Sequence, residues 1–163
     1  MTYEPHTHPA DQGAFDDGFS TEAGPRYGRR LSISRRVPAE AEHVFNAWVD
    51  PELARRWLFR SPVRSARDFH LDLRIGGSWR VSDRNDGDAA IGRYLAIERP
   101  RRLAFTMAMP EFSADHDHVT VEIVPDRRGC ILTLAHEGLA QNSEESFRNG
   151  WNAMFDDLVV AVS

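Results

Sequence analysis

The sequence contains no lysine, so all twenty of its basic side chains are arginine. That absence excludes a lysine nucleophile and lysine Schiff-base chemistry. Cysteine is nearly absent too: Cys130 stands alone, with no partner for an internal disulfide, which points to a reducing cytoplasm. No stretch nears the roughly 20 apolar residues needed to cross a bilayer, and no N-terminal run joins basic residues to an apolar segment as a signal peptide does. A cytoplasmic protein without a membrane span is expected. Metal ligands are sparse as well. His6 and His8 have the His-x-His spacing of a metal site, but stable zinc takes three or four ligands, so no metal or other cofactor is expected. The net charge is −5, and arginine pairs such as Arg29-Arg30 and Arg127-Arg128 are scattered among acidic residues without interleaved aromatics. They read as solvated faces and turns, and no nucleic acid partner is expected.

What the chain has is apolar material. Four Trp, nine Phe and 41% hydrophobic residues in 163 positions are enough for one domain with its own core. Residues 1 to 28 are rich in Pro, Gly, Asp and His and show no periodicity, so they read as a loosely ordered arm ahead of a domain spanning residues 29 to 163. Leu31, Ile33 and Val37 alternate with polar residues in a first strand ended by Pro38. Val44, Phe45, Ala47 and Trp48 then form a helical stripe, and Asp50-Pro51-Glu52 restarts a second short helix with a capping carboxylate and a proline in its first turn.

Beyond Pro62 the pattern is strand and turn. Phe69, Leu71, Leu73 and Ile75 alternate up to Gly76-Gly77, which predicts a strand with all four on one face and then a bulged hairpin leading into Trp79. Asn85-Asp86-Gly87 marks a turn, and further strands are expected over 91–98, 103–109, 119–124 and 130–137. Ser143 opens a last helix in which Phe147, Trp151, Met154, Phe155, Leu158, Val159 and Val162 recur at helical spacing. The order defines an α+β, helix-grip fold: a curved antiparallel sheet of about seven strands around a long C-terminal helix, with two short helices after the first strand.

The ordered set Val44-Phe45-Asn46-Ala47-Trp48 with Asp50-Pro51-Glu52, Trp57, Asp72-Leu73-Arg74-Ile75-Gly76-Gly77, Gly92-Arg93-Tyr94, Pro100-Arg101-Arg102-Leu103, His136-Glu137-Gly138 and Gly150-Trp151 resembles the activator of Hsp90 ATPase homologue 1-like group of the START-like superfamily. The likeness covers about residues 29 to 162. It implies the same helix-grip fold, with a cavity between sheet and last helix that in relatives binds hydrophobic or amphipathic small molecules. The chaperone co-activator itself needs a second anchoring domain, for which this chain is expected to have no room.

Within such a cavity His136 is the sharpest polar candidate, since it shares strand parity with the inward Leu132 and Leu134. Its alternative is a histidine satisfied by a neighbouring carboxylate or carbonyl. No Ser, Cys or carboxylate accompanies it at a defined spacing, so no catalytic residue is assigned. Trp57, Trp79, Met107, Met109, Leu134, Trp151 and Phe155 are candidates for an apolar wall, some of them plain core. Arg93 shares parity with Ile91, Leu95 and Ile97, and is either an inward anchor for a ligand carboxylate or a rim residue. The function expected is binding of a small hydrophobic or aromatic molecule, without an established reaction. The alternatives are a chaperone-modulating or homodimerising interaction module and a cyclase or hydrolase in which His136 moves a proton.

Overall fold

The computed structural model describes residues 29–59, 68–82 and 87–163. The arm expected over residues 1 to 28 and most of the Asn85-Asp86-Gly87 turn lie outside the described residues. The elements in chain order are β1 (Arg29–Val37), α1 (Ala41–Val49), α2 (Pro51–Ala54), β2 (Asp68–Leu71), β3 (Ser78–Ser82), β4 (Asp88–Glu98), β5 (Arg102–Met107), β6 (Asp117–Asp126), β7 (Gly129–Leu139) and α3 (Glu144–Val162). All seven strands form one antiparallel sheet in the order β1-β7-β6-β5-β4-β3-β2. β2 to β7 are a meander, and β1 closes on β7 with Leu31 opposite His136 and Ile33 opposite Leu134.

Alternation selects the inner face. Val119, Val121 and Ile123 of β6 and Leu132, Leu134 and His136 of β7 are buried, and the residues between them are more exposed. α3 lies across this face with Trp151, Phe155, Leu158 and Val162 buried at spacings of three and four. The helical corner fills the space beside it: Val44, Phe45, Ala47 and Trp48 are buried, Asp50 accepts the Glu52 amide at 2.9 Å, and the Trp57 indole donates to the Ala47 carbonyl at 2.9 Å. Trp48 meets Trp57 edge-on with centroids 4.7 Å apart, and tilted pairs extend the cluster from Trp48 to Trp151 and from Trp151 to Phe155.

Two expectations are corrected, and one left open is decided. β2 ends at Leu71, which pairs with Trp79, so the connection runs from Asp72 to Gly77 and no tight hairpin forms. Ile75 is 66% exposed in that connection and leaves the face shared by Phe69 and Leu71. The glycines serve close approach instead: Gly76 has φ +86°, the Gly76 amide donates to Tyr94 and Tyr94 donates back to Gly77, and a Cβ on Gly77 would fall 2.1 Å from the Asp72 carbonyl. In β4 the inward residues are Ala90, Gly92 and Tyr94, while a bulge between Tyr94 and Ala96 buries Leu95 as well. That bulge breaks the parity that linked Arg93 with Leu95, and Arg93 is exposed. Ser143 opens α3 at its N-cap position, as expected, with its hydroxyl donating to the Ala140 carbonyl at 2.8 Å.

Candidate functional site

Where β5, β6 and β7 run past the first half of α3, the two layers separate around a cavity of about 490 Å³. Its apolar wall is built from Phe59, Met107, Met109, Phe112, Phe147, Trp151 and Met154, and its polar wall from Ser113, Asp115, Asp117, Ser143 and Ser146. Gly150 and Gly138 leave the space open, because neither places a side chain where its neighbours point inward. The 110–116 segment between β5 and β6 supplies one rim, with Phe112 72% exposed.

Behind the wall a hydrogen-bonded chain ties helix to sheet. The Trp151 indole donates to His136 Nδ1 at 3.0 Å, and His136 Nε2 lies 2.8 Å from Asp117 Oδ2. An indole nitrogen only donates, so Nδ1 must accept, and the ring proton therefore sits on Nε2 and is donated to Asp117. His136 is accordingly a neutral imidazole with both nitrogens engaged. It is fully buried, and the Phe147 ring meets it edge-on at 4.7 Å. The chain holds the Asp117 carboxylate in place and commits one of its oxygens; the other lies on the side of Gly138, where an added Cβ would come within 3.4 Å of it.

Of the candidate residues, Met107, Met109 and Trp151 line this cavity. His136 stands one layer back, bonded to two of its walls, which is the satisfied-histidine arrangement rather than direct access. Trp57, Leu134 and Phe155 are core. Trp79 lies in a neighbouring region with Trp48, Phe59 and Phe105, around a void of only about 20 Å³; its indole donates to the Thr106 carbonyl at 3.1 Å across Gly92. Arg93 is on the outer face, where its guanidinium bonds the Gly76 carbonyl at 3.0 Å. Burial pushes the Tyr94 hydroxyl far above its ordinary value, with a smaller push from Asp72, so it stays protonated.

Sequence reasoning missed Asp117, Phe147, Met154 and the rim residues Phe59 and Phe112. Asp117 carried a readable signal: it continues the inward parity of Val119, Val121 and Ile123 by one step, and a carboxylate at such a position is unusual. Phe147 and Met154 share one helical stripe with the core residues of α3, and spacing alone does not separate wall from core.

A curved antiparallel sheet gripping a C-terminal helix, with an apolar cavity at one end of their junction, is the architecture of the helix-grip proteins. The chain belongs to the Activator of Hsp90 ATPase homolog 1-like protein family, whose model matches residues 38–163. Solved structures with the same fold include a protein from Chromobacterium violaceum, 23% identical with a TM-score of 0.72, covering 82% of this chain and 96% of that one. An AHSA1-like protein from Aeromonas hydrophila is 23% identical with a TM-score of 0.70, covering 82% and 92%. An HSP90 activator from Plasmodium falciparum is 20% identical with a TM-score of 0.66, covering 82% and 95%. No curated protein matches the chain. Among the described residues no helix is long and apolar enough to cross a membrane, and no group of His, Cys, Asp and Glu is arranged to hold a metal ion.

Proposed function

We propose that the protein binds a small hydrophobic or aromatic molecule in the cavity between its sheet and α3, using residues 29 to 163 as one ligand-binding domain. The observation that carries this reading is the cavity itself: about 490 Å³ lies in the range of small-molecule sites, and its wall is mainly aromatic rings and thioethers. Met107, Met109 and Met154 adapt to the outline of a guest, while Trp151 and Phe147 give it flat surfaces to stack on. The closure of His136 between Trp151 and Asp117 favours holding over turnover, because neither ring nitrogen is left to exchange a proton with a guest. Native mass spectrometry of protein purified without denaturation tests the proposal, with a co-purifying small molecule as the expected result. Failure of any apolar ligand to raise the melting temperature counts against it.

A second reading, modulation of an Hsp90-type chaperone, draws support from the family's description and from the Plasmodium protein called an HSP90 activator. Stimulation of a chaperone's ATPase by this chain, undiminished by substitutions that fill the cavity, favours that reading over ligand binding.

A further inference from the structure

We infer that the guest of this cavity carries a protonated amine on its apolar body, and that Asp117 is the group that receives it. The inference rests on the ligand-binding reading above and specifies its chemistry. The polar wall holds two carboxylates and three hydroxyls and, among the described residues, no arginine or histidine. Fifteen of the twenty arginines lie among the described residues, and none of those fifteen lines the wall.

Nearby carboxylates are neutralised from within. Arg30 bonds Glu137 at 2.7 Å, Arg35 bonds Asp156 at 2.9 Å, and Glu144 is held between Arg148 at 3.4 Å and Arg29 at 3.9 Å. Asp115 and Asp117 have no arginine partner among the described residues. Asp117 is the more enclosed, its side chain 16% exposed, and its one bonded neighbour is an imidazole that the Trp151 donor keeps neutral. A half-enclosed carboxylate beside apolar rings, with one oxygen uncommitted, is complementary to a cation that brings its own hydrogens. The amide end of α3, which by itself would favour an anion, is already matched by Glu144 and Glu145 in its first turn. A fatty acid or other carboxylate would meet two like charges and, among the described residues, no counter-ion. Of the two alternatives for Arg93, the outer-face position leaves it away from the cavity, so it supplies no anchor for a ligand carboxylate there.

The test uses three probes with one aromatic body, 2-naphthylmethylamine, 2-naphthalenemethanol and 2-naphthoic acid, titrated calorimetrically against the whole chain and against Asp117→Asn. The asparagine keeps a carbonyl oxygen to accept from His136, so the fold is retained, and Asp115→Asn serves as a second variant. The expected order is amine, then alcohol, then acid, with the amine roughly tenfold or more ahead of the alcohol and that preference lost in Asp117→Asn. Equal binding of all three, or tightest binding of the acid, overturns the inference while leaving the cavity as a binding site. An amine preference that survives in Asp117→Asn and vanishes in Asp115→Asn overturns the assignment to Asp117. Binding of none of the three overturns the ligand-binding reading, and the inference with it.

Discussion

Trp151→Phe separates the polar role of this side chain from its bulk. Phenylalanine keeps a ring among Trp48, Phe59 and Phe155, whose centroids lie 5.9 to 6.4 Å from that of Trp151, but removes the N–H that reaches His136 Nδ1 at 3.0 Å. His136 is 0% exposed, so its Nδ1 would be left as a buried acceptor without a donor, a loss of about 1–3 kcal/mol. The missing part of the indole adds a packing term of about 1–2 kcal/mol, a fraction of the cost of a full aromatic-to-alanine truncation. Together they give about 2–5 kcal/mol, or a fall in Tm of roughly 4–20 °C for a chain of this length. Urea denaturation followed by tryptophan fluorescence measures it. The cycle with His136→Leu isolates the hydrogen bond: Trp151→Phe orphans His136 Nδ1 and His136→Leu orphans the Trp151 N–H, whereas the double variant removes both. The loss at Asp117 is common to His136→Leu and the double variant and cancels, so the double should cost about 1 kcal/mol or more less than the sum. A Trp151→Phe cost under about 1 kcal/mol, or strict additivity in the cycle, would refute a buried indole–imidazole bond.

Gly92→Ala should be far more damaging than its size suggests, since the new Cβ would fall 1.8 Å from the Thr106 carbonyl oxygen and 2.5 Å from Trp79 Nε1. A loss of at least about 3 kcal/mol or failure to accumulate folded protein is expected, and a melt like the parent's would contradict the packing of Trp79 over β4. Arg93→Ala should change stability by under about 1 kcal/mol and leave ligand affinity untouched, because the guanidinium lies on the outer face; a drop in affinity would return Arg93 to the site. The Cys130 thiol is wholly enclosed and burial pushes its pKa up, so thiol reagents at pH 8 should modify it much more slowly in the native protein than in denaturant. Immediate modification of one equivalent in native buffer would show that the β1/β7 end of the sheet is open.

Much of the fold follows from periodicity, because a half-buried strand or helix writes its burial into every second or every third and fourth residue. β1, β6, β7 and α3 each bury one face, and each is readable in that way. The pattern fails where the backbone breaks its own register. Leu73 and Ile75 keep the alternation of β2 after the strand has ended, since the Gly76-Gly77 segment is recruited by β4 through Tyr94. The bulge at Tyr94 and Ala96 shifts Leu95 inward and leaves Arg93 out. At the site, the apolar wall was within reach of the sequence but not separable from the core, because Met107 in the wall and Leu103 in the core obey the same alternation along β5. The pairing of His136 with Asp117 and Trp151 joins positions 19 and 15 residues away through sheet register and helix placement, and no local spacing records it.

Binding in the cavity is tested most directly by methyl NMR of protein labelled at methionine, recorded with indole N–H resonances while 2-naphthalenemethanol is titrated in. Met107, Met109 and Met154 line the cavity together with Trp151, whereas the Trp57 indole is held against Ala47 in the core. Saturable shifts of those three methyls and of the Trp151 indole, with the Trp57 indole unmoved, are the expected result. Unperturbed methionine methyls at saturating probe, or non-saturating shifts spread equally over Trp57, would contradict a guest between the sheet and α3.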